Sequence, residues 1–208
     1  MLLPWPWTGL GGISVGIRSF LAFELSQGLR KELGKIYEHC KERLNGVRWV
    51  PLYNIHLTVV FLGDIREEDL EPLKESLAVV KHKYAPFKMK INKVGIFGSR
   101  RDPRVLWVGM EGDTRPMEYL RNYLEKILKP FGIKRENRPF KPHLTLGRFR
   151  MGFKDSVELE RLLEEYREIK GEEEVFDELC LFKSQLTPTG SIYEKLHTWK
   201  LLGTKQEG

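Results

Sequence analysis

The 208-residue chain has little cysteine: Cys40 and Cys180 only, with no CxxC and no His/Cys cluster at metal-ligand spacing. That argues against a disulfide framework or a structural zinc site and makes a reducing compartment, the cytoplasm, the expected location. Glutamine (3) and asparagine (5) are scarce beside abundant Lys and Glu, a bias found in thermophilic proteins that decides nothing about function. Long hydrophobic runs are missing too. The apolar start, MLLPWPWTGLGGISVGI, is broken by glycine and proline, is too short to span a bilayer and lacks the basic n-region of a signal peptide. Residues 1–17 therefore read as an N-terminal extension. With no low-complexity linker, residues 18–208 read as a single domain, expected to be a monomer with no membrane association.

What is present is the balance of a folded globular protein, 41% apolar and 31% charged. The net charge of +6 and a pI near 9.2 favour polyanionic partners. RNA would fit, although many basic proteins bind no nucleic acid.

Period and punctuation give the elements. RSFLAFEL (18–25) reads as a strand. SQGLRKELGKIYEHCKERL (26–44) reads as a helix capped by Ser26, with Leu29, Leu33, Ile36, Tyr37 and Cys40 on one face. IHLTVVFLG is rich in β-branched residues and ends at Gly63, a strand. A charged helix is expected over 66–82, strands over 87–98 and 104–111, and a helix over 115–131 between Pro116 and Pro130. PHLTLGRF then reads as a strand, SVELERLLEEYREI as a helix capped by Ser156, and 175–187 and 192–202 as closing strands. Apart from its opening strand, the second half of this order repeats the first. The residues agree: His56 precedes Ser99 by 43 positions, and His143 precedes Ser184 by 41. Two copies predict an α+β, bilobal fold: two pseudo-symmetric lobes, each with an antiparallel sheet and helices, facing each other across a groove.

Of five histidines, two stand in the same three-letter word, His-Leu-Thr, 87 residues apart. Strand alternation sets His56, Thr58 and Val60 on one face and Leu57, Val59 and Phe61 on the other; His143 and Thr145 likewise oppose Leu144 and Leu146. A groove lined by two imidazoles and two hydroxyls suits phosphoryl transfer. One neutral imidazole takes a proton from the nucleophile, the other gives one to the leaving oxygen, and the hydroxyls hold nonbridging oxygens. A lone His on a strand is more often structural, but the same polar pair twice in matching contexts is not a packing requirement. A metal held by the His pair would lack a carboxylate to complete its ligand set, and Thr is a poor ligand, so no metal or other cofactor is expected. His39, His82 and His197 read as structural or exposed.

HLTV and HLTL, within NIHLTVVFLG and RPFKPHLTLGR, resemble the paired HxTx motifs of the 2H phosphoesterase superfamily. They are most similar to its RNA 2′,3′-cyclic phosphodiesterase branch, also called the 2′-5′ RNA ligase family. The similarity extends to RSFLAFEL, RWVP and RVLWVGME and covers about residues 18–202. Family members commonly begin just before the Arg that matches Arg18, which sets the first 17 residues apart. The resemblance implies metal-free hydrolysis of RNA 2′,3′-cyclic phosphate ends, such as those of tRNA fragments, to a 2′-phosphate. It implies His56 as proton donor to the departing 3′ oxygen and His143 as the base that activates water. Thr58 and Thr145 would hold the phosphate, and Arg148 would help neutralise it. Strict alternation puts Arg148 on the core face, so a strand end or a bulge must re-aim it. Two alternatives stand: the same groove run backwards as a 2′-5′ RNA ligase, and a non-catalytic RNA-binding module using Arg100, Arg101, Arg104 and Trp107.

Overall fold

A computed structural model describes residues 16–188 and 190–204. The extension read over 1–17 lies almost wholly outside the described residues, and Ile17 already opens the first strand. The elements run β1 (Ile17–Phe23), α1 (Gln27–Arg43), β2 (Val47–Trp49), β3 (Leu57–Ile65), α2 (Leu70–Leu77), α3 (Val80–Lys83), β4 (Phe87–Gly98), β5 (Pro103–Gly112), α4 (Thr114–Ile127), β6 (His143–Phe149), α5 (Ser156–Glu165), β7 (Glu174–Phe176), β8 (Glu178–Thr187) and β9 (Gly190–Lys200).

Local chemistry accounts for most of these boundaries. The Ser26 hydroxyl accepts the Leu29 amide at 3.1 Å, and the five apolar residues of α1 are all buried. The charged helix expected over 66–82 is divided: i→i−3 bonds at Ala78 and Lys81 tighten the chain between α2 and α3. Leu73, Leu77 and Val80 still reach the core on one face. In α5 the cap position is Asp155, not Ser156, which is already helical.

The strands form one antiparallel path, β7-β4-β5-β6-β3-β1-β8-β9, with β2 paired to β6 beside it. At its centre β3 and β6 share a single pair, Leu57 opposite Leu144, so the path divides into two half-sheets joined at one point. These are the two lobes. The opening strand of the second repeat is β5: β1-α1-β3-α2-β4 corresponds to β5-α4-β6-α5-β8. In both repeats the last strand crosses to the opposite lobe, β4 lying beside β5 and β8 beside β1. This exchange explains why linear order alone left one opening strand unmatched.

Alternation along β3 holds only as far as Val59. Opposite β1 the register skips one residue, pairing Leu21 with Val60 but Ala22 with Thr58. The bulge reverses the expected faces beyond it: Val60 is buried and Phe61 is 71% exposed. β6 repeats the device. Leu106 pairs with Gly147 and Trp107 with Thr145, which leaves Leu146 as the extra residue. Arg148 thereby shares the face of His143 and Thr145. The face of Gly147 is the core, since a Cβ there would lie 2.5 Å from a methyl of buried Val47.

The seam should be sensitive to packing, because Leu57 and Leu144 are fully buried where the lobes meet. Leu57→Ala is expected to destabilise the fold by about 2–5 kcal/mol in urea denaturation. A loss below about 1 kcal/mol would mean that the lobes do not depend on this contact.

Candidate active site

Extending the Leu57–Leu144 register by one residue each way sets His56 towards Thr145 and Thr58 towards His143. Each lobe's imidazole thus faces the other lobe's hydroxyl, as a two-fold relation between antiparallel strands requires. The structure brings His56, Thr58, His143 and Thr145 to one groove, and the β6 bulge adds Arg148.

The segment ahead of each motif is irregular and is held by an arginine of a neighbouring helix. Arg30 of α1 donates to the Leu52 carbonyl at 2.8 Å, fixing the turn before His56. Arg121 of α4 donates to the carbonyls of Glu136 (2.7 Å) and Arg138 (3.1 Å), ahead of His143. Arg121 is itself buried and paired with Glu125 at 3.0 Å. Both rings are then fixed in the same way. His56 Nδ1 donates to the Asn54 carbonyl at 2.7 Å, and His143 Nδ1 donates to the Lys141 carbonyl at 2.7 Å. A carbonyl only accepts, so Nδ1 carries the hydrogen and Nε2, on the opposite edge, has the lone pair.

Aromatic side chains wall both rings. His56 stacks on Phe20 with centroids 4.6 Å apart, and Tyr193 meets it edge-on at 5.3 Å. Phe97 lies perpendicular to His143 at 4.8 Å, and Trp107 is 6.4 Å away. A cavity of about 300 Å³ opens beside His56, lined in part by Tyr53, Asn54, Phe182 and Tyr193. Burial lowers the His56 pKa to about 4, the carbonyl bond opposing and the neighbouring His143 assisting. His143 is lowered as well, first by burial and then by the charge of Arg148, against its carbonyl bond. Burial therefore favours the neutral form of both rings in the free site. Among the described residues no three His, Cys, Asp or Glu side chains gather as a metal-ligand set.

The other histidines lie elsewhere. His39 bonds Tyr166 at 2.6 Å between α1 and α5, His82 is exposed in α3, and His197 is exposed on β9. Of the basic loop 98–104, Arg100 is paired with Glu160 and Arg104 lies 3.7 Å from Asp102. Phe20, Phe97, Tyr193 and Phe61 were missed in the sequence, while Trp107 was named there only for the RNA-binding alternative. Phe61 and Arg148 each stand five residues after their histidine, a correspondence that the repeat alone could have exposed.

The family model described as "LigT like Phosphoesterase" matches twice, over residues 23–107 and 108–193, one match per repeat. The protein named RNA 2′,3′-cyclic phosphodiesterase in Methanocaldococcus jannaschii is 33% identical over 184 residues, spanning 88% of this chain and 100% of its own. That of Thermotoga maritima is 31% identical over 187 residues, 90% and 97% of the two chains. Among solved structures, a Thermus thermophilus protein superposes with a TM-score of 0.74 at 27% identity, covering 91% of this chain and 100% of its own. E. coli LigT in complex with 3′-AMP gives 0.70 at 24% identity, over 89% and 98%, a likeness of fold.

The electrostatics are directly measurable. In an NMR titration of the free protein His56 is expected to titrate near pH 4 and His143 below its ordinary 6.5, with inorganic phosphate raising both. A His56 titrating at or above 6.5 would contradict the buried, aromatic-walled setting.

Proposed function

This chain belongs to the LigT-like phosphoesterase family, and from that premise we propose that it hydrolyses RNA 2′,3′-cyclic phosphate ends to 2′-phosphates without a metal. The observation that carries this reading is the pair of imidazoles with their Nδ1 hydrogens fixed on carbonyls, leaving two Nε2 atoms for a phosphate between the strands. The relatives named as RNA 2′,3′-cyclic phosphodiesterases support the substrate class.

The mechanism follows from the groups present. The cyclic phosphate binds between the two strands, Thr58 and Thr145 donating to its nonbridging oxygens and Arg148 offsetting its charge. His143 Nε2 takes a proton from water as the water oxygen attacks phosphorus. The bond from phosphorus to the 3′ oxygen breaks, and protonated His56 delivers its proton to that oxygen. The 2′ ester bond remains. This division of labour requires the bound anion to lift His56 from about 4 to near neutrality. The same low-dielectric surroundings that penalise an isolated imidazolium strengthen its attraction to a phosphate at contact. With the 5′-hydroxyl of another strand in place of water as the nucleophile, the same loss of the 3′ oxygen would leave a 2′-5′ bond; with water in large excess and no energy source coupled, hydrolysis is the favoured outcome.

Each proton transfer is typically worth about 10²–10⁴ in rate. His56→Ala and His143→Ala are each expected to lose at least a hundredfold in kcat on an RNA ending in 2′,3′-cyclic phosphate. The double variant should be little worse than either single one, because the pair acts as a unit. Either single variant retaining more than about a tenth of the wild-type rate would contradict the two-histidine scheme.

Wild-type activity is expected to survive excess EDTA and to yield a 2′-phosphate with a free 3′-hydroxyl. Loss on chelation, restored by Zn²⁺ or Mn²⁺, would move the site into metal-assisted hydrolysis.

A further inference from the structure

The groove edge of β6 carries more than the two catalytic pairs. Residues 47–50 and 56–58 border the same edge, on either side of the turn that Arg30 holds. In order along β6, Thr58 stands towards His143, His56 towards Thr145, and Arg48 directly opposite Arg148. Val47 and Trp49 flank Arg48 and face the core, where Val47 is buried and Trp49 packs edge-on against Tyr37. Alternation therefore puts Arg48 on the groove face, and it is exposed.

Two like charges directly opposite each other on neighbouring strands are destabilising. No carboxylate pairs with either Arg48 or Arg148 among the described residues, whereas Arg43 is paired with Glu158, Arg66 with Asp69 and Arg100 with Glu160. The arrangement is also one-sided. Among the described residues β2 has no counterpart beside β3, and the position equivalent to Arg148 in the first repeat is Phe61, an apolar ring. The symmetric part of the groove supplies the chemistry; the cationic pair breaks the symmetry and gives the groove a direction.

We infer that Arg48, standing beside Arg148 at the cyclic phosphate, binds the next phosphate of an RNA strand, the one joining the terminal nucleotide to its 5′ neighbour. Arg148 lies three residues beyond Thr145, roughly 10 Å along a strand at about 3.3 Å per residue and less for the bulge. That places Arg48, across the ladder from Arg148, within reach of the adjoining phosphate when the cyclic end sits between the histidines. A guanidinium makes paired, charge-assisted bonds to phosphate oxygens, so Arg48 alone can hold that phosphate. This inference rests on the hydrolytic reading given above and adds to it a preference for oligonucleotides over single nucleotides.

The test compares a dinucleotide ending in 2′,3′-cyclic phosphate with the matching nucleoside 2′,3′-cyclic phosphate, which lacks the second phosphate. In Arg48→Gln the ratio of their kcat/KM values is expected to fall about tenfold, carried by KM, as for loss of one charge-assisted contact. Binding of a fluorescent single-stranded RNA with a 3′-phosphate is expected to lose about 0.7 from its slope against log salt concentration. Arg48→Lys should retain most of that slope. An unchanged ratio and slope would overturn the inference. A parallel fall for both substrates would also overturn it, since Arg48 would then merely support β2. If neither substrate is turned over by wild type, the hydrolytic reading fails, and the salt slope still decides whether Arg48 meets a phosphate.

Discussion

Everything in the groove depends on how little β3 and β6 touch. Among the described residues a single pair, Leu57 with Leu144, joins two half-sheets that are otherwise paired only within themselves. Both leucines belong to one continuous hydrophobic core that runs beneath both half-sheets. One buried leucine pair keeps the His-Thr words opposed while the sheet opens on either side. The exchange of β4 and β8 between lobes secures this geometry, because each repeat contributes a strand to the other's half-sheet.

The polar groups are held from outside the strands. The segments ahead of both motifs lack long regular structure, and in each an arginine from a core-facing helix ties down backbone carbonyls. The two imidazoles then use neighbouring carbonyls to fix their tautomers. Burial among aromatic walls lowers the pKa of both rings and so favours their neutral forms. No helix among the described residues is long and apolar enough to cross a membrane.

Much of this was legible in the sequence, for identifiable reasons. The α1 boundary follows from Ser26 and the spacing of Leu29, Leu33 and Ile36; the paired motifs follow from two identical words in matching strands. What periodicity cannot register is a bulge. Strict alternation placed Phe61 in the core and left Arg148 needing a re-aimed strand; one extra residue in each strand exposes both. The division of the 66–82 helix arises from i→i−3 bonding that leaves the apolar spacing intact. The cap of α5 at Asp155 is a one-residue difference between two residues that both suit the role. The strand exchange is a property of tertiary pairing, and no local signal encodes it. Arg48 could have been suspected from Val47 and Trp49 on either side, but its partner across the ladder was visible only in three dimensions.

The central claim is that one imidazole works as base while the other works as acid, and the pH dependence of kcat, which reports the substrate complex, tests it most directly. The account requires a bell: the acid limb marks protonation of the base and the alkaline limb marks loss of the acid. The two apparent values belong to the coupled pair and not to His56 or His143 singly. Residual activity of His143→Ala should lack the acid limb, and that of His56→Ala the alkaline limb. A wild-type rate that climbs without a break from about pH 5 to about pH 10 would identify hydroxide as the nucleophile, with no protonated histidine needed, and would contradict the account.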